Sequence, residues 1–180
     1  LERDEDAADV AASLLPGSVL TISWSSGLLR ALRRRRPDRV RCMASHPGGE
    51  GARLAAALRE HLADVRVVPD EEALVDPGAE AALFGADAIG PGGVVNKVGT
   101  LALCRAARRA GIRTICVAGG TKLLAEDLPA GGVFERVELE LLDVVALPHG
   151  PARPPGVAPL LARFPLHPSL RPLLEELRAG

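Results

Sequence analysis

The residues best suited to chemistry lie in one run, residues 85–100, GADAIGPGGVVNKVGT. It holds an acid (Asp87), a glycine-rich turn (Gly90, Gly92, Gly93), an amide and an amine side by side (Asn96, Lys97), and a small-residue step into an amphipathic stretch. A carboxylate, an ammonium and a helix N-terminus in one place suit a small anionic ligand with proton chemistry beside it. Asp87 reads equally as a base and as a residue that caps a helix or stabilises a turn.

The two lysines of the chain, Lys97 and Lys122, stand out because Arg serves nearly everywhere else. A chain of 180 residues with 47% hydrophobic and 2% aromatic residues is one domain with an aliphatic core. Such scarce aromatics leave no stacking platform for single-stranded nucleic acid, and a net charge of −1 gives no polyanion-binding excess. Three cysteines (Cys42, Cys104, Cys116) lack metal-ligand spacing and fit a reducing compartment, so a cytoplasmic protein with no metal and no cofactor is expected. No apolar run approaches a membrane span, and no membrane partner is expected.

The elements that position these groups follow from periodicity. Residues 4–15 read as a helix ended by Pro16-Gly17. Residues 18–22 read as a buried strand, and the serine turn after it, SWSSG, caps a helix that ends in Arg33–Arg36. Four arginines in a last helical turn fit the helix dipole better than a nucleic-acid patch. Residues 39–45 form a second strand that breaks at His46-Pro47-Gly48-Gly49, before a helix starting near Glu50. Residues 65–69 form a third strand, Glu71 to Asp76 a short helix, and AALFGADAI a fourth strand running into residues 85–100. A helix to Ala110, a fifth strand at 113–119 and a last strand within 138–147 complete the alternation.

Alternation of this kind predicts an α/β fold, a parallel sheet with helices on both faces. Residues 1–15 form an N-terminal helix, 16–150 the sheet domain and 151–180 a proline-rich helical tail across the body or onto a partner chain. Neither G-x-G-x-x-G after the first strand nor a Walker A sequence is present, which weakens dinucleotide and nucleoside-triphosphate readings. Parallel strands place their carboxyl ends on one edge. That edge collects Ser25, Ser26, His46, Arg53, Asp87, Asn96, Lys97, Thr121 and Lys122. Lysines and Arg suit a phosphate. His46 reads either as a ligand group or as a solvated loop residue, and Cys42 is a weaker candidate for approaching the site.

The same residues carry a resemblance. GADAIGPGGVVNKVGT resembles the signature shared by the alpha, beta and delta subunits of translation initiation factor 2B, methylthioribose-1-phosphate isomerase and ribose-1,5-bisphosphate isomerase. SVLTISWSSGLLRAL, ASHPGGEGARLAAAL, VAGGTKL and FERVELELLDVVAL resemble further segments in the same order, covering about residues 15–150. The resemblance implies a Rossmann-like parallel sheet of the ribose-5-phosphate-isomerase type, with the family's N-terminal helical domain largely absent. It also implies a small phosphorylated ligand, a homodimer, and either aldose–ketose isomerisation of a ribose 1-phosphate or a non-catalytic regulatory role. If active, the protein would be an intramolecular oxidoreductase.

By the same resemblance Asp87 and Ser23 occupy the catalytic positions, and Ser23 stands where the isomerases carry Cys. Ile22 stands where a His often precedes that Cys, and His46 where a phosphate-contacting Arg would be. Asn96 and Lys97 would orient the sugar. Lys122, Thr121, Arg53 and the helix start at Ser25 and Ser26 would hold phosphate. Ser23 in the Cys position favours ligand binding without isomerase chemistry.

Overall fold

The computed structural model describes residues 2–75, 78–165, 168 and 171–179. Asp76, the last residue of the expected short helix, lies outside them. So do Ser169, Leu170 and Gly180 of the tail.

The aliphatic runs pair as expected. Strands β1 (Ser18–Thr21), β2 (Arg39–Met43), β3 (Val65–Val68), β4 (Ala81–Gly85), β7 (Arg113–Val117) and β9 (Val144–Leu147) lie parallel in a seven-stranded sheet. Its order is β10-β9-β7-β4-β1-β2-β3, with β10 (Gly150–Ala152) antiparallel at one edge. Pro151 fits that edge because a proline cannot donate into a central ladder.

Alternate residues of each strand feed opposite cores. Val19, Val40, Leu83 and Ile115 pack under α1 (Glu2–Leu14), α2 (Ser26–Arg35) and α3 (Glu50–Arg59). Leu20, Met43, Phe84 and Cys116 pack on the other face. There they meet α4 (Asp70–Val75), α5 (Thr100–Ala110) and α6 (Pro154–Leu161). Helix α7 (Arg171–Ala179) ends the described chain. The fold is therefore the expected Rossmann-like α/β sheet with helices on both faces.

The run 85–100 departs from the reading of a strand leading through a glycine turn to a helix. It folds as a hairpin, β5 (Ala88–Gly90) and β6 (Gly93–Lys97), which pairs with β8 (Phe134–Val137) in a second, three-stranded antiparallel sheet. The strand expected within 138–147, with a lead-in, is β9, though β10 follows it. After β8 a 3₁₀ turn, Leu139–Leu141, precedes β9. Asp143 Oδ2 accepts hydrogen bonds from Thr114 N at 2.7 Å and Thr114 Oγ1 at 3.0 Å, which fixes the entry into β9.

The arginines that close α2 are structural. Arg35 Nε donates to Leu15 O at 2.7 Å, Arg33 Nη2 donates to Ala57 O at 3.1 Å, and Arg34 pairs with Asp9.

Helix α3 starts hard against the end of β2. A Cβ on Gly51 would lie 1.8 Å from Met43 O. The carbonyl belongs to a central strand and cannot retreat, so Gly51→Ala is expected to cost about 1–3 kcal/mol. Gly131→Ala meets open space and is the control. Urea midpoints that match for the two variants would refute this account of the α3 start.

Candidate functional site

The sheet changes direction between β1 and β4, because β2 and β3 build outward on one side and β4, β7 and β9 on the other. The crevice beyond the carboxyl ends of these two strands is where open α/β sheets bind ligands. Ser25 sits there as the N-cap of α2, with Oγ accepting from Leu28 N at 3.5 Å. It lies so close to the end of β4 that a Cβ on Gly85 would come within 2.8 Å of Ser25 Cβ.

Ser25, Ser26, Gly27, Ala86, Gly119 and Lys122 line one small cleft at this point. Lys122 ends the 3₁₀ turn that follows β7. Its ammonium has no acidic partner among the described residues. The first turn of α2 carries no acidic residue, and the leading N–H groups of a helix have no partner within it. The cleft therefore holds one uncompensated cation and a helix start.

Other candidate anion sites of the sequence are filled by the chain itself. At the glycine turn, Asp127 accepts from Gly92 N at 2.9 and 3.1 Å and from Arg136 Nη1 at 2.6 Å. Side chains at Gly90 and Gly92 would strike Asp127, and one at Gly93, whose φ is +135°, would strike Val137 O. The glycines thus serve close packing of the hairpin, not a phosphate. At the start of α5, Glu135 Oε1 accepts from Leu101 N at 2.7 Å. A carboxylate already occupies the place of an anion in both.

Lys97 is 6% exposed, yet it is charged and paired. Its Nζ bonds both oxygens of Glu50, Oε2 at 2.5 Å. Burial raises the Glu50 carboxyl, but hydrogen bonds from Lys97 and from its own backbone N–H outweigh that, so its pKa lies below 4.5. Gly48 lets the loop close over the pair, since a Cβ there would lie 2.7 Å from Lys97 Nζ. Sequence reasoning placed a helix start near Glu50 but no role for it. The two partners are 47 residues apart, and no local pattern links them.

Asn96 and Lys97 are neighbours on a strand, so their side chains leave it on opposite sides. Asn96 Nδ2 donates to Thr100 Oγ1 at 2.9 Å, and Thr100 Oγ1 donates to Lys97 O at 2.7 Å. This chain of bonds ties β6 to α5. Asp87 is exposed, and its carboxylate has no hydrogen-bond or ion-pair partner among the described residues. Its backbone N donates to Val95 O at 2.9 Å, which places it at the base of the hairpin beside the cleft residue Ala86.

Ser23 and Ser45, each two residues past β1 and β2, have φ of +66° and +64°, left-handed values that cost a non-glycine residue free energy. A brace holds them. Ser23 N donates to Ser45 Oγ at 2.8 Å, Ser45 Oγ donates to Met43 O at 3.0 Å, and Ser45 N donates to Asp70 Oδ1 at 2.9 Å. Asp70 Oδ2 also accepts from His46 N at 3.0 Å, while the His46 ring is at the surface. Ser45 and Asp70 were not among the expected site residues. A buried serine and a helix-start acid read as ordinary structure.

The remaining candidates are outlying. The Arg53 guanidinium stacks over Trp24, 4.3 Å from the ring centroid, and Thr121 is exposed. The cysteines are buried and inert. Burial pushes the thiols of Cys42 and Cys104 up to about 12 and raises Cys116 as well. Among the described residues no cluster of His, Cys, Asp and Glu could hold a metal, and no helix is long and apolar enough to cross a membrane.

Residues 1–137 match the profile of the initiation factor 2 subunit family. The chain belongs to that family. No curated protein matches it. Among solved structures it is similar to the Pyrococcus horikoshii OT3 translation initiation factor eIF-2B. The two share 26% identity over 86% of this chain and 65% of the other, with a TM-score of 0.72. It is also similar to the delta subunit of eIF-2B from A. fulgidus, with 20% identity over 89% and 62% of the two chains and a TM-score of 0.70. The 5-methylthioribose 1-phosphate isomerase of P. horikoshii OT3 shares 20% identity over 90% and 58%, with a TM-score of 0.71. The latter two show the fold alone. The chain spans just under two thirds of the length of these relatives. The expected membership and fold are thus both found.

Proposed function

We propose that this member of the initiation factor 2 subunit family binds a sugar phosphate at the β1–β4 crevice. The carrying observation is Lys122, without an acidic partner among the described residues in a cleft with the α2 start, while Asp127 and Glu135 fill the hairpin turn and the start of α5. The ammonium and the N–H groups at Ser26 and Gly27 take the phosphate, with Ser25, Ser26 and Thr121 supplying hydroxyls. Asp87, exposed beside the cleft and without a side-chain partner among the described residues, acts on the sugar hydroxyls as base or acceptor. Lys97 and Asn96 set the floor of the sugar site. His46 and Arg53 stand at its outer edge.

As an enzyme the protein interconverts an aldose and a ketose form of a ribose 1-phosphate, with Asp87 moving the proton. Similarity to a solved 5-methylthioribose 1-phosphate isomerase supports this reading. A second reading, ligand binding without turnover, is favoured by Ser23. Its hydroxyl has no basic partner among the described residues, and all three thiols are buried. The protein works in the cytoplasm as a homodimer. Similarity to a tetrameric eIF2B beta–delta complex, and the exposed Val133 and Phe134 at the start of β8, support assembly.

Calorimetry and ketose formation with methylthioribose 1-phosphate and ribose 1,5-bisphosphate test the proposal. Turnover that falls about 10²-fold or more in Asp87→Asn with binding retained establishes the isomerase. Binding without turnover establishes the non-catalytic module. Absence of binding by both ligands refutes the sugar-phosphate site.

A further inference from the structure

Three cationic positions were expected to surround the ligand, but one of the two lysines carries no free charge. Lys97 is closed by Glu50, with both carboxylate oxygens on one ammonium. The pair is built in. Gly48 leaves room for it, Gly51 seats the start of α3 against Met43 O, and a Cβ on Gly99, at the β6–α5 junction, would lie 2.9 Å from Ile22 Cδ1 just past β1. Glu50 therefore stands at the carboxyl edge of the sheet, on the β2 side of the crevice, while Lys122 stands on the β7 side.

The hairpin base joins the two places. Ala86 lines the Lys122 cleft, and Lys97 lies one residue beyond the partner position of Asp87. The crevice is thus electrically lopsided. Its β7 end carries the Lys122 ammonium, which has no acidic partner among the described residues, and a helix start. Its β2 end carries a neutralised ion pair, while Asp87, whose carboxylate has no partner among the described residues, stands beside Ala86 at the Lys122 cleft. Arg53 lies at the solvent edge, stacked on Trp24, and the ring of His46 is at the surface.

We infer that Glu50 is a specificity residue that limits the site to ligands with a single anionic group, by cancelling the Lys97 charge that a second phosphate would need. The favoured ligand is a monophosphorylated sugar whose far end is a hydroxyl or another neutral group. A second phosphate would have to break the Lys97–Glu50 pair and sit beside the Glu50 carboxylate. Binding energy of a like-charge contact is unfavourable in a partly desolvated site, whereas a hydroxyl can donate to the Glu50 carboxylate. This inference rests on the sugar-phosphate reading and concerns only its charge preference.

The test compares ribose 1-phosphate with ribose 1,5-bisphosphate, which differ by one phosphate, using calorimetry on the whole chain. Wild type is expected to prefer the monophosphate by about tenfold or more, the scale of one charge contact. Glu50→Gln frees the Lys97 charge and is expected to abolish or reverse that ratio. The double substitution Glu50→Gln with Lys97→Met keeps Gln at position 50 but removes the ammonium, and is expected to restore the monophosphate preference. A general loosening of the loop would move the two variants together. Tighter binding of the bisphosphate by wild type overturns the inference even if Glu50→Gln does not fold. An unchanged ratio in folded Glu50→Gln overturns it too. Binding of neither sugar to any of the three proteins removes the sugar-phosphate reading itself, and this inference with it.

Discussion

Glu50→Ala is expected to destabilise the protein by about 3–5 kcal/mol, because it leaves a buried ammonium without its counter-ion. Lys97 is 6% exposed, and its nitrogen is spent on the Glu50 carboxylate. Removing the acid strands the charge in the gap between the α3 start and the hairpin. Lys97→Met should cost less, since the Glu50 side chain is 29% exposed and can recover water. With total stabilities of about 5–15 kcal/mol, the first loss would show as a large fall in urea midpoint. Protons probe the same pair. The folded-state pKa of Glu50 is depressed, so the pair contributes fully above the ordinary carboxyl value of 4.5 and loses that contribution as pH falls through the depressed value. Stability of wild type should therefore drop below pH 4.5 more steeply than that of the double variant lacking both charges. A Glu50→Ala midpoint close to wild type, or parallel pH curves for wild type and the double variant, would show that the pair stabilises nothing.

That pair also marks where sequence reading stops. The parallel sheet was legible because buried strands of an α/β fold are short aliphatic runs between amphipathic helices, and 18–22, 39–45 and 113–119 have that form. The crevice was legible because polar turns after parallel strands share an edge, and Ser25, Ser26 and Lys122 do meet there. The hairpin carried a signal that was read otherwise. Two apolar pairs, Ala88-Ile89 and Val94-Val95, flank a Gly-Pro-Gly-Gly turn, a pattern that favours antiparallel pairing over a loop. What no pattern showed is which carboxylates fill which anion sites. Asp127 reaches Gly92, Glu135 reaches Leu101 and Glu50 reaches Lys97, each across more than 30 residues of sequence. Only the tertiary contacts tell a glycine turn packed against an acid from one left open for phosphate.

The open site makes the other large prediction. Lys122→Ala is expected to weaken binding of a sugar monophosphate by about 10–100-fold, the loss of one charge-assisted hydrogen bond to phosphate. The fold should tolerate it, because Lys122 makes no side-chain bond among the described residues and its turn is held by backbone bonds from Lys122 N to Gly119 O at 3.0 Å and Leu123 N to Gly120 O at 3.3 Å. Lys122→Arg keeps the charge and should recover part of the affinity, limited by the small volume between Ser25 and Gly119. The helix start supplies the rest of the phosphate contacts, so residual binding by Lys122→Ala should weaken further on raising the salt concentration. Affinity for ribose 1-phosphate that is equal in wild type and Lys122→Ala, at matched stability, would move the phosphate elsewhere. The remaining cationic place would then be the outer edge at Arg53 and His46, and Arg53→Ala rather than Lys122→Ala would carry the loss.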